Sequence, residues 1–177
     1  MLLQHFFDET AHRLPDKIAL VCDGKRHTYA DIDARVDQLA RLLKARGVAR
    51  GDRVALFLDN SAEMVAGVYA ALRIGAVFMP VNPMTKQDKL AYLLNDSRAS
   101  ALLTHTDLHA TWEHALAANT SVHSCIVVGT SADAATLPQR CANAALRIDQ
   151  YVGQRQFFFL EERGDGARLF PLVDEDE

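Results

Sequence analysis

Three histidines, His105, His109 and His114, are the nearest thing to a ligand cluster in this 177-residue sequence. His105 and His109 are four residues apart, so a helix would set both on one face. A metal ion would need further donors in place, and no His-Glu-x-x-His pattern supplies them. The three therefore read first as helix-surface or capping histidines. Cys125 opens the apolar run Cys125-Ile126-Val127-Val128 and reads as a buried thiol rather than a nucleophile. Phosphate chemistry usually announces itself through glycines, but neither Gly-x-x-x-x-Gly-Lys-Ser/Thr nor Gly-x-Gly-x-x-Gly occurs. Gly164-Asp165-Gly166 reads as a turn, and no Gly-x-Ser-x-Gly elbow is present for acyl transfer. The Asp174-Glu175-Asp176-Glu177 run reads as a solvated terminus. Trp112 sits at helical spacing and reads as core.

The whole-chain numbers narrow the class. Nearly half the residues are apolar (49%) and 24% are charged, which excludes a disordered or collagen-like chain. A net charge of −4 leaves no basic footprint for nucleic acid. Residues 155–177 hold three basic and seven acidic side chains, which accounts for that charge, together with four of the eight Phe. The composition shift sets an expected boundary near residue 150, between a domain over 1–150 and a Phe-rich, acidic tail over 151–177. The three cysteines (Cys22, Cys125, Cys141) form no Cys-x-x-Cys pair and no disulfide framework. The N-terminus has no basic region ahead of an apolar stretch, and no apolar run approaches the roughly 20 residues of a membrane span. The expectation is a cytoplasmic protein without a membrane span.

The elements that must position these residues alternate in type. Leu2 to Leu14 reads as a helix with Leu3, Phe6, Phe7 and Leu14 as its apolar members, ended by Pro15. Residues 18–22 and 25–29 flank Asp23-Gly24 and read as a hairpin. Thr28 three residues before Asp31 resembles a capping box for a helix carrying Ile32, Val36, Leu39, Ala40 and Leu43, with Gly47 as its left-handed end. From there strand and helix alternate: strands over 53–58, 76–80, 99–104 and 125–128, with helices between them. Asn60 and Glu63 are expected to open the first of these helices, which runs to Arg73 and ends at Gly75. Thr85 and Asp88 are expected to open the second, and the third spans about 107–118. Such alternation implies βαβ units and an open, mostly parallel sheet flanked by helices, an α/β fold. Residues 129–150 read as loop with at most one helical turn. Residues 156–163 and 167–173 read as a second hairpin, with Pro171 confining the latter strand to an edge.

Certain stretches are more specific than the fold. They are His27-Thr28-Tyr29-Ala30-Asp31-Ile32, the run from Gly47 through Gly51-Asp52 to Leu56, Asp59-Asn60-Ser61-Ala62-Glu63, and Leu72 through Gly75, Pro80 and Asn82 to Pro83. In this order and spacing, over about residues 3–128, the chain resembles the start of the AMP-forming adenylating enzymes: acyl-CoA synthetases, luciferases and peptide-synthetase adenylation domains. Asn82-Pro83 is more similar to the acyl-CoA ligase branch. At these positions (Thr28, Tyr29, Gly51, Asp52, Asn60, Gly75, Pro80, Asn82, Pro83) the residue types read as scaffold: a cap, a packing ring, a glycine ending a helix at positive φ, and prolines stiffening a strand exit.

The resemblance implies a two-step reaction. A carboxylate attacks the α-phosphate of ATP, and coenzyme A then takes the acyl group, with Mg²⁺ assisting. The family's Ser/Thr/Gly-rich loop, ending in Pro-Lys-Gly, is expected after Ile148-Asp149-Gln150, where Tyr151-Val152-Gly153-Gln154-Arg155 stands instead. The leading expectation is an N-terminal portion of an acyl-CoA ligase, truncated before that loop. It would have no catalytic, ATP-binding or metal residue and need no cofactor by itself; ATP, Mg²⁺ and CoA would belong to a full-length relative. Two alternatives stand beside it. One is a non-catalytic α/β module that pairs with a separately encoded ligase remainder or with itself. The other is a freestanding α/β protein using the sheet's carboxyl edge for a small ligand.

Overall fold

A computed structural model describes residues 2–119, 121–129, 156–163 and 166–171, with side chains described as far as residue 129. In chain order the elements are α1 (Leu3–Arg13), β1 (Ile18–Cys22), β2 (Lys25–Thr28), α2 (Tyr29–Ala45), β3 (Arg53–Phe57), α3 (Ala62–Arg73) and β4 (Val77–Val81). They continue with α4 (Gln87–Asp96), β5 (Ala101–His105), a 3-10 turn (Thr106–Leu108), α5 (His109–Ala117), β6 (Ser124–Gly129), β7 (Gln156–Arg163) and β8 (Gly166–Pro171). Of the loop expected over 129–150, Gly129 instead ends β6, and the rest lies outside the described residues, as do the residues joining β7 to β8 and the acidic terminus. The chain separates into two compact units, Met1–Asp52 with Asp59–Phe78 and Arg53–Leu58 with Met79–Glu177.

The first unit holds α1, α2, α3 and the β1–β2 hairpin. Asp23 (φ 49°) and Gly24 (φ 73°) form the two-residue turn, both in the left-handed region that matches hairpin twist. The Thr28 hydroxyl accepts the Asp31 N–H at 3.1 Å and the Asp31 carboxylate accepts the Thr28 N–H at 2.8 Å, so the capping box is complete. Ile32, Val36, Leu39, Ala40 and Leu43 are buried as their spacing predicts, and Gly47 (φ 81°) ends the helix with its N–H on the Lys44 carbonyl. Two expectations are corrected. Ser61, not Asn60, caps α3, its hydroxyl accepting the Met64 N–H at 3.1 Å. In α1 the buried residues are Phe7 and Ala11, while Leu3 and Phe6 are 56% and 57% exposed. Positions 7 and 11 share one helix face, and only that face is covered.

The second unit is built on a sheet of order β4-β3-β5-β6-β7-β8. Strands β3, β5, β6 and β7 are parallel neighbours, and β8 returns antiparallel on β7 as the edge. The expected second hairpin is therefore present, and its first strand also extends the parallel sheet. Val54 to Phe57 and Ala101 to Thr104 are all buried, as a sheet covered on both faces requires. On one face Ala55, Phe57, Leu102 and Val127 pack with Leu90 and Leu94 of α4 and Trp112 and Leu116 of α5. The Leu, Val and Phe side chains among them contribute about 1.5–3 kcal/mol each by leaving water. Helix α4 begins at Gln87 after Lys86, without a side-chain cap, so Thr85 does not open it. The residues before α5 form the 3-10 turn, capped by His105, whose Nδ1 accepts the Asp107 N–H at 3.2 Å.

Candidate functional site

The motif residues act locally, each within its own unit. In the first unit, Gly51 and Gly75 come together from separate sequence stretches, the Gly51 N–H donating to the Gly75 carbonyl at 2.9 Å. The Val77 N–H donates to the Asp52 carbonyl at 2.7 Å, and the Asp52 carboxylate accepts the Ala49 N–H at 2.8 Å. Both glycines have positive φ (86° and 76°), and a Cβ on Gly75 would stand 3.1 Å from Arg50 Cγ. These contacts stitch the loop after α2 to the loop after α3, which explains the glycines without a ligand.

Tyr29 packs with its ring 5.9 Å from that of Phe7, which in turn stacks at 4.4 Å on Tyr69. The Asn60 carbonyl lies 3.6 Å from Cys22 Sγ. Partial burial and the carboxylates of Asp23 and Glu63 push that thiol above its usual pKa, away from a nucleophile's range. The Asp31 carboxylate is held below the ordinary range by the Thr28 N–H and then by the Thr28 side chain. In the second unit, the Asn82 side chain accepts the Met84 N–H at 2.8 Å, forming an Asx turn around Pro83 just past β4. Pro80 lies exposed within β4.

The histidines do not converge. His105 stands at the carboxyl end of β5 on Asp107, while His109 and His114 are on α5, with His114 Nε2 at 3.4 Å from Asp88 Oδ1. Among the described residues no group of three or more His, Cys, Asp or Glu side chains is arranged to hold a metal ion. Cys125 is buried in β6, and Trp112 is core, its Nε1 donating to the His105 carbonyl at 3.1 Å. No described helix is long and apolar enough to cross a membrane.

Two polar constellations were not apparent in the sequence. Arg73 reaches three carboxylates, those of Asp8 on α1 and of Asp33 and Asp37 on α2, the last two at 2.7 and 2.9 Å. Burial by itself would lower its pKa, but the hydrogen bonds it donates to Asp33 and Asp8, and their charges, raise it. Only the i,i+4 spacing of Asp33 and Asp37 could have hinted at this. In the second unit, the Asn119 amide donates to the Asn95 side chain at 2.9 Å and its oxygen accepts the Val122 N–H at 2.8 Å, tying α4 to the segment before β6.

The description "AMP-binding enzyme" belongs to a family model that matches residues 7–156 of this chain. The chain belongs to that family. As an AMP-binding family member it is 38% identical over 102 residues to Bacitracin synthase 1 of Bacillus licheniformis, covering 58% of this chain and 2% of the synthase. It is 36% identical over 106 residues to Surfactin synthase subunit 3 of Bacillus subtilis (strain 168), covering 60% and 8%. Among solved structures, a putative long-chain-fatty-acid CoA ligase from Rhodopseudomonas palustris superposes with a TM-score of 0.68 at 32% identity, over 73% of this chain and 33% of that one. An anthranilate CoA ligase shares the fold over 95% of this chain and 34% of its own, with a TM-score of 0.69 at 19% identity. The chain thus spans about a third of these solved relatives and far less of the synthases. Its similarity thus falls on one part of these adenylating and CoA-ligase relatives, whose α/β fold it shares.

Proposed function

We propose that this polypeptide is the N-terminal scaffold of an AMP-forming acyl-CoA ligase, and that it does not activate a carboxylate by itself. In a complete enzyme of this kind a carboxylic acid is converted to an acyl-adenylate and then passed to coenzyme A. The observation that carries the reading is the run of family motifs in register, from Thr28 to Pro83, on a fold shared with CoA ligases. ATP, Mg²⁺ and CoA belong to the longer enzyme. What supports this is that one side-chain oxygen of each of Thr28, Asp31, Asp52 and Asn82 serves a neighbouring backbone N–H as a cap or turn. The sequence also carries no Pro-Lys-Gly to grip a triphosphate. The remainder of the ligase, in the same longer chain or separately encoded, is the partner this reading calls for, and a cytoplasmic setting accords with a cysteine pattern that builds no disulfide framework.

The test is ATP–pyrophosphate exchange by the purified chain with a long-chain fatty acid, an aromatic acid and a panel of amino acids. No exchange above the protein-free blank is expected, and turnover with any of them by this chain alone overturns the proposal. A second reading, an amino-acid adenylation domain, is favoured by the 34–38% identities to peptide synthases. Amino-acid-dependent exchange by the longer protein that contains this sequence would select it over the ligase.

A further inference from the structure

Helix α1 is attached to its neighbours differently from every other helix of the first unit. It is 11 residues long yet buries only Phe7 and Ala11, and it leaves Leu2, Leu3 and Phe6 more than half exposed. Among the described residues, the backbone hydrogen bonds of the helix close on itself and on the flanking Leu2 and Leu14, whereas the segment behind it is pinned. The Tyr29 N–H donates to the Lys17 carbonyl at 2.9 Å and the Ala30 N–H to the Pro15 carbonyl at 3.0 Å. A pivot therefore lies at Leu14–Pro15, with a fixed strand on one side and a side-chain-held helix on the other. What holds the helix is the Phe7 ring against Tyr69 and Tyr29, and the Asp8 carboxylate on Arg73.

The Arg73 arrangement is asymmetric in a way that matters. Asp33 and Asp37 both come from α2, so Arg73 stays paired across α2 and α3 when Asp8 leaves. Departure of α1 therefore strands no charge in a half-buried position, which would otherwise resist the opening. Asp8 is 40% exposed, so the latch is within reach of screening by salt. We propose that α1 is a releasable strap: it pivots at Leu14–Pro15, is latched by Asp8 on Arg73, and on release uncovers the Tyr29–Tyr69 seat of Phe7 while α2 and α3 stay together. Local opening of this kind occurs where apolar contacts are few, below the free energy of global unfolding.

The test is hydrogen exchange read by mass spectrometry on the 177-residue chain at pH 7, in low salt and in 0.5 M NaCl. Asp8→Asn removes the charge of the latch without touching Arg73, Asp33 or Asp37, and Asp8→Glu is its conservative control. Asp8→Asn is expected to speed exchange across residues 3–13 at least fivefold with α2 and α3 unchanged, salt to do the same to the wild-type chain to a smaller degree, and Asp8→Glu to restore protection. Loss of protection in α1, α2 and α3 together overturns the proposal. So does an α1 whose exchange is indifferent to both Asp8→Asn and salt, or one that exchanges at the unstructured rate in the wild type.

Discussion

The face of the sheet under α4 and α5 and the contacts among α1, α2 and α3 are two solutions to the same problem of fixing helices. Under α4 and α5 the contact is almost entirely apolar, with Leu90, Leu94, Trp112 and Leu116 against Ala55, Phe57 and Val127. Among α1, α2 and α3 apolar contact is shared with charge: three aromatic rings, Arg73 with three aspartates, and the Arg35–Glu63 pair at 3.2 Å between α2 and α3. Apolar contact is indifferent to pH and nearly so to salt, and it loosens only when volume is removed. A charge hub with carboxylates 40–51% exposed is adjustable by solution conditions and contributes less per contact.

Removing volume from the apolar side should give the largest effect. Trp112→Ala empties the space between α5 and the sheet and deletes the Nε1 bond to the His105 carbonyl. A loss of about 3–5 kcal/mol is expected, enough to approach unfolding for a small unit, read as a shift of the urea midpoint. A loss under about 1 kcal/mol would mean that α5 is not held by burial and that the contrast is wrong.

Next comes a crowding change at the far end of the same sheet. A Cβ on Gly129 would sit 2.5 Å from Thr106 Cγ2, inside any permitted contact. Gly129→Ala should cost about 1–3 kcal/mol by forcing β6 and the 3-10 turn apart. Thr106→Ala added to it should restore most of that stability, because both clashing atoms nearest the new methyl leave. A double-mutant cycle by urea denaturation checks this; additive losses would place the strain elsewhere.

These two residues also show where sequence reading succeeds and where it stops. Trp112 was legible as core because Ala115 and Leu116 follow at helical spacing, and periodicity reports burial directly. Gly129 was not, because its need for a missing side chain arises from Thr106, 23 positions earlier, through strand pairing that no local window contains. The same division holds elsewhere. The hairpin at Asp23-Gly24 and the cap at Thr28 are local chemistry and were read correctly, down to the carboxylate that completes the box. Ser61 and not Asn60 caps α3, and α4 starts after Lys86 rather than at Thr85, because several positions at each helix start could begin it and the packing of the helix decides its phase. Arg73 lay inside a recognised motif, but its partners come from two other helices, α1 and α2, whose meeting with α3 no spacing announces. For the candidate site, the motif positions were visible in the sequence, but the stitching of Gly51 to Gly75 needed the fold.

The capping box offers a smaller, pH-readable change. Thr28→Ala should cost about 1 kcal/mol by leaving the Asp31 N–H without its acceptor. Asp31 adds a sign. Its pKa is lower in the folded protein than in the unfolded chain, so its contribution is fully present above the ordinary carboxylate pKa and is lost as pH falls through the depressed folded value. Asp31→Asn should therefore be less stable than wild type near neutrality, with the gap in urea midpoint closing as the pH is brought below about 4. A gap that widened in acid would reverse the assignment.

The smallest effect is expected where the charge hub meets open solvent. Arg41 lies 3.5 Å from the Asp37 carboxylate, one turn along α2, with the two side chains 75% and 51% exposed. Such a pair gains little over hydrated ions, and Asp37 already has Arg73 as a shorter partner. Arg41→Ala should change stability by no more than about 0.5 kcal/mol, which the urea midpoint resolves only in replicate. A loss above 1 kcal/mol would show that Arg41 orients Asp37 for Arg73. The hub would then extend to the outer turn of α2, beyond Arg73 and the Arg35–Glu63 pair that already join these helices.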